Sequence, residues 1–146
     1  MKIYIYILII GALLGGCARP HCITDSNEQL TIRWGVYYSE SGRMEGYQIN
    51  TSGEIRRMDA PYSEPIAKAG EDELCRAIDK CYNAFLKSQA FYVPADTQRV
   101  VMMENPTTGV RSRAFWNPEF TTDGNKYFVD LYDYLMDILN DNQQSK

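Results

Sequence analysis

The change of hydrophobic period along the chain limits its fold more than any other feature. From Leu30, apolar residues recur at every second position: Leu30, Ile32, Trp34, Val36 and Tyr38 alternate with Thr31, Arg33, Gly35 and Tyr37. Successive side chains of an extended strand point to opposite faces, so this alternation predicts a half-buried antiparallel strand. Ser39-Glu40-Ser41-Gly42 is turn chemistry, and Met44–Asn50 returns as a second strand. Thr51-Ser52-Gly53 turns again into a short third strand, Glu54–Met58. Ala60–Gly70 contains Pro61 and Pro65 and is read as a loop. At Glu71 the period lengthens. Leu74, Ile78, Cys81 and Phe85 fall at i, i+4, i+7 and i+11, with Cys75, Tyr82 and Leu86 widening the stripe, which predicts a helix over Glu71–Ser88. Glu71, Asp72 and Glu73 in its first turn and Lys87 in its last suit the helix dipole.

The second half repeats the theme of hairpin then helix, without a matching residue pattern that would make it a repeat. Thr97–Glu104 reads as a strand, and Asn105-Pro106-Thr107-Thr108-Gly109 as a turn. Val110–Trp116 returns, with Val110, Ser112, Ala114 and Trp116 on one face and Arg111, Arg113 and Phe115 on the other. Thr122-Asp123-Gly124-Asn125 supplies cap candidates for a helix over Asn125–Asn140, whose stripe is Phe128, Leu131, Leu135 and Ile138. The order is β-β-β-α-β-β-α. One apolar face per strand set and one stripe per helix are best buried in a two-layer α+β sandwich with an antiparallel sheet. Residues 30–140 form this single domain, and 141–146 a frayed tail.

The N-terminus carries an address. Met1–Cys17 reads MKIYIYILIIGALLGGC: a cationic Lys2, the apolar run Ile3–Leu14, then small residues before a cysteine. That run is about 12 residues, against the roughly 20 of a spanning helix, and its layout is that of a secretory signal. Leu14-Gly15-Gly16-Cys17 resembles the lipobox of bacterial lipoproteins. The resemblance implies cleavage between Gly16 and Cys17, diacylglycerol on the Cys17 sulfur, and a lipid-anchored protein of the bacterial cell envelope. Ala18 stands where many Gram-negative lipoproteins retained at the inner membrane have Asp, so the resemblance favours the outer membrane, facing the periplasm, where the host has one. Residues 17–29 are polar, contain Pro20 and show no period, and are read as the lipidated end and a tether.

Cleavage at that point leaves 130 residues and removes Lys2, taking the formal charge from −4 to −5. An acidic chain without a basic run gives no footprint for nucleic acid. With Cys17 lipidated, Cys22, Cys75 and Cys81 remain, an odd number. A helix holds residues 75 and 81 roughly 10 Å apart. A disulfide needs about 4.4–6.8 Å, so those two cannot pair. Cys22 can reach either, and Cys75, on the flank of the stripe, is the better candidate partner. Three unpaired thiols are the alternative.

Chemistry is sparse. His21, the only histidine, lies in the polar N-terminal segment, so His-based nucleophile triads and zinc spacings are missing from the rest of the chain. No metal, cofactor or catalytic set is expected. Asp130, Asp133, Asp137 and Asp141 share one helix face and are read as a solvated surface. Tyr37, Tyr47 and Phe115 with Arg111 and Arg113 are the candidate contact surface, and Arg33 and Arg56 can join them in recognising a carboxylate or sugar acid. The expected function is a membrane-tethered, non-catalytic binding or assembly module with an envelope protein as a candidate partner. Two other readings stand. One is a small hydrolase using two carboxyls about 5–9.5 Å apart in a pocket. The other is an inhibitor or immunity-type protein presenting a hairpin tip, Ser39–Arg43 or Asn105–Gly109.

Overall fold

The alternating segments do find each other as one antiparallel sheet. A computed structural model describes residues 19–87 and 92–143. The expected signal peptide, its cleavage pair Gly16 and Cys17, and residues 144–146 lie outside the described residues. The elements are β1 (Thr31–Tyr38), β2 (Arg43–Asn50), β3 (Glu54–Arg57), β4 (Ala67–Lys68), α1 (Glu71–Lys87), β5 (Thr97–Asn105), β6 (Val110–Trp116) and α2 (Lys126–Gln143). The strand order is β4-β3-β2-β1-β5-β6, and every neighbouring pair is antiparallel. Both helices lie on one side, giving the two-layer α+β architecture that the periodicities imply.

Register fixes which side chains meet the helices. Trp34 pairs with Tyr47 and Val101, Ile32 with Ile49 and Met103, and Val101 with Ala114. These residues pack against Leu74, Ile78, Cys81, Phe128, Leu131 and Leu135. Trp116 stacks on Phe128 at 6.2 Å and meets Tyr132 edge-on at 5.9 Å. The helices run antiparallel: Phe85, late in α1, touches Phe128, early in α2, with centroids 5.0 Å apart. At the other end the Tyr134 hydroxyl donates to the Glu73 carbonyl, and Asn142 Nδ2 donates to Glu73 Oε2 at 3.1 Å. Glu73 Oε2 also accepts from the Gly70 N–H at 2.7 Å, half of a capping box at the start of α1.

One pair of glycines is obligatory. Gly35 on β1 faces Gly46 on β2, and the two backbones close in on each other. A Cβ on Gly35 would lie 2.0 Å from the Glu45 carbonyl oxygen, and one on Gly46 would lie 2.1 Å from that of Trp34. Any larger residue must force the strands apart.

Several boundaries differ from expectation. The loop Ala60–Gly70 contains β4, whose two residues are too few to show a period. The Ile66 N–H donates to the Ile55 carbonyl and the Ala69 N–H to that of Gly53, both at 2.9 Å. Helix α2 continues to Gln143, so residues 141–143 of the expected frayed tail are helical. The larger correction concerns the segment read as a tether. Ile23 and Leu30 are buried in the core, and residues 20–30 are folded onto the domain. Asn27 organises that segment, its Oδ1 accepting from the Thr24 N–H and its Nδ2 donating to the Cys22 carbonyl. The Asn105 side chain donates to the Ser26 carbonyl, and the Thr51 hydroxyl to that of Glu28. The alternation already marks Leu30 as the start of the domain, but the polar composition of residues 17–29 had hidden one core residue, Ile23, and a set of specific anchors. Among the described residues no helix is long and apolar enough to cross a membrane.

Candidate binding face

Because both helices occupy one side, the other side of the sheet lacks a covering layer of helix. Alternation assigns it Thr31, Arg33, Gly35 and Tyr37 of β1, Gln48 and Asn50 of β2, and Glu54 and Arg56 of β3. From the other half it receives Gln98, Val100, Met102 and Glu104 of β5 and Arg111, Arg113 and Phe115 of β6. Lys68 extends the face beside Glu54.

The two ends of this face differ. At one end Tyr37 and Phe115 meet edge-on at 5.4 Å, and Tyr92 meets Phe115 at 6.4 Å. Residues 92–96, which lead into β5, close over this corner. Tyr92 bridges to Phe115 on the edge strand, the Val93 N–H donates to the Phe115 carbonyl, and Gln98 Nε2 bonds Ser39 Oγ and the Ala95 carbonyl. Val100 and Gln98 are consequently fully buried.

The other end is polar and open. Reading across the strands, Arg56 faces Gln48, Gln48 faces Arg33, Arg33 faces Met102 and Met102 faces Arg113. Every second strand therefore contributes an arginine to one row, with a spacing of about 10 Å, two inter-strand distances. Arg33 Nη1 lies 2.7 Å from Glu104 and its Nε 3.3 Å from Gln48 Oε1. Arg56 Nη2 lies 2.8 Å from Glu54, and Arg111 Nε is 3.9 Å from Glu104. Arg113 forms no ion pair among the described residues and is exposed. The Arg56 hydrogen bond holds the Glu54 carboxyl below its ordinary pKa. Five cations against two carboxylates make this face positive, in a chain whose formal charge is −4.

The expected contact residues fall in three places. Tyr37 and Phe115 come together, and Arg111 and Arg113 lie farther along the same face. Tyr47 does not join them. Its register opposite Trp34 turns it to the helix side, where it lies 5.8 Å from the Trp34 ring and packs on the core. The hairpin register carried that information, since a turn at residues 39–42 sets 34 against 47. Gln48, Glu54, Met102 and Glu104 were not foreseen. They are remote in sequence and meet only through the order of strands.

Elsewhere, Cys22 and Cys75 are joined by a disulfide with a Cα–Cα distance of 5.4 Å. Cys81 is a free thiol buried in the core, and its burial pushes its pKa up. His21 lies beside that disulfide, its Nδ1 3.0 Å from Glu71 and 3.8 Å from Cys75 Sγ. Glu71, accepting from the His21 backbone N–H and facing its ring, has a lowered pKa. A groove of about 630 Å³ runs beside this segment, lined by Arg19, Ile23, Glu28, Ser52 and Lys68 among others. Arg19 is committed there to Asp25 at 2.9 Å and Glu28 at 3.7 Å. Of the acidic row on α2, Asp130, Asp133 and Asp137 are exposed, and Asp133 reaches Arg99 at 3.4 Å. Among the described residues no group of three His, Cys, Asp or Glu side chains is placed to hold a metal ion. No protein-family model matches the chain, and none of the curated proteins is similar to it.

Proposed function

We propose that this protein is a lipid-anchored, non-catalytic binding module of the bacterial cell envelope, attached through Cys17, with the helix-free face of the sheet as its working surface. The observation that carries the reading is the segregated, arginine-bearing face. A sheet side left without helices and given five cations in an acidic protein is a surface suited to an anionic partner. The N-terminal segment fits the anchoring role. Arg19 belongs to the described, folded part, so a single residue, Ala18, separates it from Cys17, and a lipid there would hold the domain close to the bilayer rather than on a loose leash.

The anchor is tested by Cys17→Ser in cells fed a clickable palmitate analogue. The parent chain is expected to label and to fractionate with membranes, and the variant to do neither. Equal labelling of the variant would refute lipidation at Cys17.

A further inference from the structure

Resting on that reading of the open face, we propose that its ligand is an acidic polysaccharide carrying a carboxylate on alternate sugars, laid across the strands along the row Arg56, Gln48, Arg33, Met102 and Arg113. Four observations select this chemistry. The row runs across five strands on the helix-free side of the sheet, whereas small molecules are bound in concave sites that enclose most of their surface. Its arginines stand on alternate strands, so cationic groups recur at about 10 Å over a row of about 20 Å, a repeat matched by a disaccharide and suited to a polymer. Glu104 and Gln48 orient Arg33 through Nη1 and Nε, and Glu54 and the Ser63 carbonyl hold Arg56 through Nη2 and Nη1. Each guanidinium is thus fixed in place with only its remaining N–H groups for an incoming carboxylate, while Arg113 carries no ion pair among the described residues. The Gln48 side-chain amide and the neighbouring Thr31 hydroxyl supply neutral groups for sugar hydroxyls between the charged points, Gln48 Oε1 being shared with Arg33.

A protein partner fits less well. Protein interfaces centre on a desolvated apolar core, and the middle of this row offers only Met102 as a large apolar side chain. Half-exposed ion pairs contribute little singly, so affinity here comes from engaging several arginines with one chain. Binding is therefore length-dependent and weakened by salt.

The test uses the full lipidated protein in detergent micelles and hyaluronan oligosaccharides, read by fluorescence anisotropy. A hyaluronan decasaccharide is expected to bind at least about tenfold more tightly than the disaccharide, because only the longer chain spans the row. Carboxyl-reduced hyaluronan is expected to lose binding. Arg113→Gln, which breaks no internal ion pair among the described residues, is expected to weaken the decasaccharide about fivefold to tenfold with an unchanged melting temperature. Arg56→Gln should act in the same direction. No binding, equal binding of the reduced polymer, or indifference to Arg113→Gln would each overturn the proposal. If poly-glutamate binds as tightly, with the same Arg113→Gln loss, the ligand class is wrong although the face remains a binding face. The envelope anchor is read separately, by acyl labelling.

Discussion

The two faces of the one sheet are built from the same strands, yet they do opposite things. On the helix side Trp34, Ile49, Val101 and Ala114 are buried against α1 and α2. On the other side, one residue along each strand, stand Arg33, Gln48, Met102 and Arg113. A shift of one position separates the side chains that hold the fold from those left free for a partner. The difference teaches that a positive patch can be maintained at small cost to stability, provided it sits where no helix must pack.

Breaking the helix side should therefore have the largest effect. Trp34→Ala or Trp116→Ala removes a fully buried indole and is expected to cost about 3–5 kcal/mol, measured as a lowered denaturation midpoint. Met102→Ala or Arg113→Gln on the open side should stay within about 1 kcal/mol. Comparable losses on both sides would mean that the open face also supports the fold.

Next in size is the covalent clamp. The Cys22–Cys75 bond spans a sequence separation of 53 residues. The chain-entropy model gives about 4 kcal/mol for such a loop, so Cys22→Ser should lower the midpoint strongly. It should also expose residues 20–30 to proteolysis. Cys81, with a buried thiol of raised pKa, should resist alkylation in the native state and react once the chain is unfolded. Fast native alkylation of Cys81 would place it outside the core.

The polar side of the comparison is sharpened by smaller effects. Replacing Glu104 by Gln leaves Arg33, one-third exposed and still bonded to Gln48, without its 2.7 Å partner, and should cost about 1 kcal/mol. Glu54 and Glu71 have lowered pKa values, so their stabilising contribution is complete above the ordinary carboxyl value of 4.5 and fades as pH falls through the lowered ones. Urea midpoints should decline on acidification below that value, and Glu54→Gln should flatten part of the decline.

Much of this was legible in the sequence because strands and helices declare themselves by local period. Leu30–Tyr38 and the Leu74–Phe85 stripe carry their own patterns, and the hairpin faces of Val110–Trp116 follow from alternation. What was hidden is nonlocal. Ile23 is an isolated apolar residue in a polar segment, and only its docking against the core makes it structural. Tyr47 needed the hairpin register, not merely its own strand. The arginine row joins residues 33, 56 and 113, which become neighbours only because β1 lies between β2 and β5. No short window can contain that.

The most direct measurement places a photo-crosslinking amino acid in the full-length protein expressed in its native cells, once at Gln48 and once at Asn83. Gln48 lies in the arginine row, whereas Asn83 is exposed on α1. Irradiation should give an adduct from position 48 and none from position 83. Adducts from position 83 alone, or equally from both, would contradict the assignment of the open sheet face as the working surface.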